Sequence, residues 1–197
     1  MIVLWVVVGI VVLIALYVWL LYNRLVPLRN LYRNGFADID VQLKRRYDLV
    51  PSLVDAVKGY MAHERATLEA VAAARGRATQ AADAASRRPG EAQAMLALAQ
   101  AESVLSGALG RLLATVESYP QLKASANVLA LQEELASTEN RIAFARQHFN
   151  DSVLEYNNRR DQFPTNVMAS FVRFPPAELL QAIEAPEERR APRVAAG

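Results

Sequence analysis

The sequence predicts an all-α protein, with an N-terminal single transmembrane helix followed by a long antiparallel helical bundle of three long helices plus a short C-terminal helix. Three observations carry this expectation. Residues 2–22 form twenty-one consecutive positions without a charge, IVLWVVVGIVVLIALYVWLLY. The rest is rich in Ala, Leu, Glu, Gln and Arg, with only eight Gly in the whole chain, and no run alternates as a strand would. Apolar residues instead recur at alternating steps of three and four, the rhythm of helices packed on helices.

The first element is the apolar run. About 20 apolar residues at about 1.5 Å each cross a hydrocarbon core of about 30 Å, so the run is long enough to span. A cleaved leader would need a basic start, a shorter core and a small-residue cleavage site. Here Met1 alone precedes the run, which ends in Leu-Tyr-Asn-Arg; a retained anchor is expected. Arg24, Arg29 and Arg33 follow it, with no acidic residue before Asp38. Positive flanks stay in the cytoplasm, so the N-terminus should face outward. Trp5 near one end and Tyr17, Trp19 and Tyr22 near the other suit the interfacial aromatic belts. The chain divides into a transmembrane anchor (1–23), a juxtamembrane segment (24–35), a cytoplasmic bundle (36–182) and a disordered tail (183–197).

The first bundle helix should run from about Phe36 to Arg75. Leu43, Val50, Val57 and Val71 recur at multiples of seven, as do Tyr47, Val54, Met61 and Leu68. Pro51 interrupts this pattern. It has no N–H for the carbonyl of Tyr47, so a kink or break is expected there. Residues 76–90 have almost only alanine to bury and read as a fraying end plus a loop, with Pro89-Gly90 the turn. The second helix, Glu91 to about Ser118, carries Met95, Leu98, Leu105, Leu109, Leu112 and Val116, with Glu102 at the missing rung. Tyr119-Pro120 stops it. The third holds the clearest heptads, from Val128 through Leu135, Ile142, Phe149 and Tyr156 to Phe163-Pro164. Its small members Thr138, Ala145 and Ser152 should admit a close neighbour. A short fourth helix is expected after Thr165, with Phe163, Phe171 and Phe174 capping one bundle end.

Composition bounds the function. With 22 basic and 20 acidic residues the net charge is only +2, and no basic stripe interleaves with aromatics, so nucleic acid is not an expected partner. The chain has no Cys, which removes thiol catalysis and thiolate metal sites. Of two histidines, His63 begins a zinc-protease-like HE pair, but HERAT lacks the second His. No nucleophile elbow, P-loop or dinucleotide fingerprint occurs. Asp38 and Asp40 lie about 200° apart on a helix and do not converge. No catalytic, cofactor-binding or metal-binding residues are therefore expected.

Two features remain. The block Lys44, Arg45, Arg46, Tyr47 and Asp48 lies just beyond the anchor. It reads either as a solvated face with local ion pairs or as a candidate interaction surface for a partner or lipid headgroups. Arg24, Arg29 and Arg33 form a juxtamembrane basic set with the same two readings, topology signal or headgroup contact. The second feature is Glu64 and Glu102 on inward stripes. Buried carboxylates need partners, and Arg75, Arg141 or Arg146 are candidates.

The segments YNRLVPLRN, DIDVQLKRRYDLVPSLVDAVKGY with MAHE, SYPQLKA, LQEELASTENRIAFAR, FNDSVLEYNN and FPTNVMA together resemble the LemA family. The resemblance covers about Leu21 to Leu180, and DIDVQLKRRYDLVPSLV is its most specific part. The tail RFPPAELLQA departs from it, lacking an aromatic pair. The resemblance implies a single-pass protein of the bacterial inner (cytoplasmic) membrane with a cytoplasmic α-helical bundle, and the heptads read as coiled coil. It brings no established activity or cofactor. The expected role is a non-enzymatic scaffold or adaptor, and the alternative is a self-assembling membrane-organising or envelope-stress protein. Expected partners are the lipid bilayer and another protein, either a membrane protease or a second copy of the chain.

Overall fold

The computed structural model describes residues 1–61 and 63–181. The expected disordered tail, 183–197, lies outside them. The described residues contain six helices and no strand: α1 Ile2–Val57, α2 Arg65–Arg87, α3 Ala92–Glu117, α4 Pro120–Lys123, α5 Ala126–Asp161 and α6 Thr165–Phe171. α1 packs along α5 on one side and α2 on the other, and α2 packs on α3. α1 and α5 run antiparallel, since Tyr32 stacks near Tyr156 while Phe36 meets Phe149 and Arg45 reaches Glu134.

The longest element is a correction to the expected boundaries. The apolar run, the segment 24–35 and the first bundle helix are one helix of 56 residues, about 84 Å long at 1.5 Å per residue. Every residue from Met1 to Leu20 is exposed, and the stretch is apolar and long enough to cross a membrane. Burial begins at Leu21 and Leu25 and continues through Tyr32, Phe36 and Ile39. Residues 24–35, expected as a juxtamembrane segment ahead of the bundle, therefore pack within it through Leu25 and Tyr32. Gly35 lies where an added Cβ would sit 3.3 Å from His148 and 3.4 Å from the Phe149 backbone, so α1 and α5 approach closely at that level. On α5, Thr138 and Ser152 are buried and return their hydroxyls to the carbonyls of Glu134 and His148, as small seam members should.

Pro51 neither breaks α1 nor leaves an unmet acceptor. The carbonyl of Tyr47, deprived of its usual i+4 donor, accepts a hydrogen bond from Arg75 Nε at 2.6 Å. A side chain from the next helix replaces the missing backbone N–H. The chain reverses only after Val57, at Lys58 to Glu64, so the expected helix 36–75 is in fact two antiparallel pieces.

The segment read as a fraying end also differs. α2 is helical to Arg87, and Ala74, Ala78, Ala82 and Ala85 are buried. Alanines at steps of four and three bury little area each, but they let α3 lie close along the whole face. The turn at Pro89-Gly90 is where the sequence places it, and Gly90 has φ +81°. α3 buries all six of its expected seam residues. α5 buries Val128, Leu135, Thr138, Ile142, Phe149, Ser152 and Tyr156.

The end of the described chain holds a further correction. Of the three phenylalanines expected to cap the bundle, only Phe174 is buried, at 1% exposure; Phe163 and Phe171 are 83% and 81% exposed. Phe174 meets the Tyr22 ring edge-on at 5.4 Å and lies 4.9 Å beneath the Arg29 guanidinium. From there residues 174–181 run extended along α5.

Candidate functional site

The block Lys44–Asp48 sits on consecutive positions of α1, so its members point in different directions, and the bundle separates them. Lys44, Arg45 and Asp48 are exposed, whereas Arg46 and Tyr47 are buried. Lys44 pairs with Asp40 one turn back at 2.6 Å, and that hydrogen bond raises its pKa. Arg45 reaches across to Glu134 on α5 at 2.5 Å. These are surface contacts.

Arg46 and Tyr47 instead build a polar node where α1, α2, α3 and α5 contribute side by side. The reason is register. Arg46 lies three residues after Leu43 and four before Val50, both buried, so it falls on the seam itself. Its guanidinium donates to Glu102 Oε2 at 3.0 Å and to Ser106 Oγ at 2.8 Å, and pairs with Glu139 at 2.8 Å. The Tyr47 hydroxyl donates to Glu102 Oε1 at 2.5 Å and lies 3.3 Å from the carbonyl oxygen of Ala78. Glu102 is therefore held by α1 from both of its oxygens. The Arg46 side chain is 6% exposed and that of Glu102 is 18%, while Glu139 opens to solvent at 54%.

Burial decides the electrostatics. Desolvation raises the Glu102 pKa; the Arg46 charge and the Tyr47 hydrogen bond pull it down, and Glu139 pushes it up again. Burial and the adjacent Glu102 charge likewise drive the Tyr47 phenol upward, so it stays protonated and donating. Protonation of Glu102 would reverse their bond, leaving Tyr47 to donate to Ala78. The node is satisfied in both states, which suits a structural polar cluster.

Sequence reasoning identified Glu102 as an inward carboxylate but not its partners. Arg75 is at the Tyr47 carbonyl instead, and Arg141 is exposed. Glu64 is half-buried at the start of α2 rather than in the node. Ser106 and Glu139 carried no signal of their own. Glu139 follows the seam residue Thr138 directly, and that position on the seam's edge is the clue that was available. His63 and His148 are both exposed and lie far apart in the chain.

A second cluster went unnoticed. Asn150 and Asn157 lie seven apart on α5, hence on one face. Asn157 donates to the carbonyl of Ala177 at 2.7 Å and accepts from its N–H at 3.0 Å. Asn150 does the same for Leu180, at 3.2 and 2.9 Å. Nearer the start of the tail, Tyr156 donates to Pro175 O at 2.8 Å, and Arg160 donates to Phe174 O at 2.7 Å. Burial pushes the Tyr156 phenol up to about 12. Glu178 N–H bonds Gly90 O at 2.8 Å. An extended segment has no internal hydrogen bonds, so α5 side chains supply its partners. The polar residues of FNDSVLEYNN thus clasp the tail.

The juxtamembrane arginines divide as well. Arg24 and Arg33 are exposed; Arg29 is half-buried over Phe174.

Two magnetosome proteins of Paramagnetospirillum magneticum, MamQ 1 and MamQ 2, are each 34% identical over 85 residues, 43% of this chain and 31% of theirs. MamQ of Magnetospirillum gryphiswaldense matches at the same identity and over the same shares. The chain thus spans about a third of the length of these relatives. The pattern of the LemA family extends much further, over residues 35–195, taking in the buried node and the α5 clasp alike, and the chain belongs to the LemA family.

Proposed function

We propose that this protein is a single-pass, non-enzymatic scaffold or adaptor of the bacterial cytoplasmic membrane, with its N-terminus outside and its bundle in the cytoplasm. One observation carries the reading: α1 is continuous from an exposed apolar stretch into the bundle core. A helix that runs unbroken from span into bundle, with Pro27 inside it at the junction, would hold the bundle close against the bilayer, as a platform needs. The orientation rests on Arg24, Arg29 and Arg33. The partner is taken to be another protein, for which a membrane protease or a second copy are the two candidates. Its docking surface is narrowed to Lys44, Arg45 and Asp48, because Arg46 and Tyr47 are occupied within the bundle.

Fusions of a cytoplasmic and an external reporter to the C-terminus test the topology; activity of the external one alone overturns it. Crosslinking from position 45 in native membranes, read by mass spectrometry, tests the adaptor role. A partner captured from position 45 but not from position 141 supports it. Equal yields from both sites reject the surface.

A second reading is a self-assembling membrane-organising or envelope-stress protein. The exposed apolar side chains Val41 and Phe144, at 60% and 77%, favour it, since a second copy could cover them. The relatives named as magnetosome proteins are compatible with either reading. A detergent-solubilised particle heavier than a dimer supports this second reading, and a monomer or dimer supports the first.

A further inference from the structure

α6 is seven residues long and two-faced. Thr165, Met168 and Ala169 are buried against the bundle. Val167 and Phe171, four apart on the other side, are exposed at 50% and 81%, and Phe163 just before the helix at 83%. Two exposed phenylalanines and a valine on so short a stretch form an apolar surface that water does not favour.

The position of that surface says what covers it. Phe163, Pro164 and Thr165 line a cleft of about 230 Å³ together with Tyr17, Leu20 and Leu21 of α1. Tyr17 to Leu21 are the last apolar turn of the candidate span, about 22 to 29 Å along the helix from Ile2 at 1.5 Å per residue. With a hydrocarbon core of about 30 Å, that turn lies at the interface, where aromatic side chains concentrate. The far end of α6 is fixed at the same end of the bundle. Its last turn closes through Phe174 N–H to Ala169 O at 3.2 Å, and Phe174 packs on Tyr22. Arg173, at φ 55°, takes the left-handed position that ends the helix and is exposed. Arg24 and Arg159 line the same cleft. The nearby Asp161 is paired with Arg160. The outward face thus carries Phe163, Val167 and Phe171 beside exposed Asn166 and Ser170 and is ringed by arginines, an amphipathic pattern that suits a segment lying in a headgroup layer that includes anionic lipid.

We propose that Phe163 and α6 form a second membrane contact, with Phe163, Val167 and Phe171 inserted in the bilayer interface beside the end of the span and Arg24, Arg159 and Arg173 at the headgroups. The inference rests on the reading that residues 2–22 cross the membrane. The occupant is the bilayer because the surface is continuous with the lipid-facing surface of α1. Contact at two points, the span and α6, would fix the bundle's rotation about the span as well as its height.

The two native tryptophans, Trp5 and Trp19, both lie in the candidate span, so single-tryptophan chains separate the two claims. Full-length protein is reconstituted in phosphatidylcholine–phosphatidylglycerol vesicles, with and without lipid brominated high on the acyl chains. Trp19 alone, after Trp5→Phe, reports the span. Phe171→Trp and, separately, Phe163→Trp, each with Trp5→Phe and Trp19→Phe, report α6. Both sites are exposed, so neither change disturbs the core, and Phe144→Trp is the mid-bundle control. The expected result is blue-shifted emission at 163 and 171 that loses intensity to bromolipid, as side chains buried at the headgroup/acyl boundary should, and no loss at 144. Quenching at 19 with water-like, iodide-accessible emission at 163 and 171 overturns the α6 contact alone. Emission at 163 and 171 shielded from both bromolipid and iodide also overturns it, in favour of a second copy covering the face. No quenching at 19 overturns the span, and the α6 contact with it.

Discussion

Arg46 keeps a full charge almost out of water because Glu102, Glu139 and Ser106 surround it. Removing one member of such a cluster strands the others. Arg46→Ala should destabilise the protein by about 3 kcal/mol or more, since Glu102 is left buried without its counter-ion. Arg45→Ala removes a half-exposed pair with Glu134 and should cost under about 1 kcal/mol. Melting of the detergent-solubilised single variants, followed by circular dichroism, checks this; equal losses would contradict the burial of Arg46. Glu102 adds a pH dependence. Its folded-state pKa is raised, so just above the usual carboxylate range the native state holds a proton that the unfolded chain has released. Its contribution to stability is therefore largest at low pH and fades as pH rises through the raised value. Glu102→Gln removes that dependence. The difference in stability between parent and variant should shift against the parent from pH 4 to pH 7, and a flat difference rejects the assignment.

At the scale of elements, Pro51 and Arg75 should be coupled. In the parent, Arg75 supplies the donor that Pro51 lacks, a charge-assisted bond worth about 1.5–3 kcal/mol. With Pro51→Ala, α1 gains its own N–H for the Tyr47 carbonyl, and Arg75 becomes dispensable there. Arg75→Ala should then cost at least about 1 kcal/mol less in the Pro51→Ala background than in the parent, read as a double-mutant cycle from urea unfolding. Additive losses would show that the bond contributes nothing. The same residues mark how far the sequence could be read. The seams of α3 and α5 were legible because Leu, Val, Ile and Phe carry a strong period. Pro51 misled because the remedy for its missing N–H sits 24 residues away, in another helix. The later half of the α2 seam was read as a fraying helix end plus a loop because alanine looks unable to stabilise anything, although its value lies in the close approach it permits. Of the candidate site, the position of Glu102 was legible and its pairing was not, since Arg46 and Tyr47, both on α1, were read with their exposed neighbours as one surface block. The α5 clasp was missed because an asparagine recognising backbone looks the same in a sequence as one facing water.

For the whole molecule, the decisive feature is the overlap between the candidate span and the bundle. The apolar run ends at Tyr22, but the core already begins at Leu21 and Leu25, and Tyr22 and Arg29 hold Phe174. There is thus no dispensable linker between anchor and domain. A chain that begins at Asn30 keeps the node and most of the core. It loses two buried leucines, about 2–5 kcal/mol each by large-to-small substitution, and the edge contact and the cation that seat Phe174. A chain beginning at Trp19 keeps all of them. Both should be helical, but the Asn30 chain should melt several degrees lower. Its amides at Ala177 and Leu180 should exchange with solvent faster, because a loosened Phe174 frees one end of the clasped tail. Equal melting and equal exchange would place the true start of the bundle beyond Asn30. Residues 24–35 would then be a juxtamembrane segment separate from the bundle, as the sequence divides the chain, and the proposed coupling of bundle to bilayer would fail with the overlap that supports it.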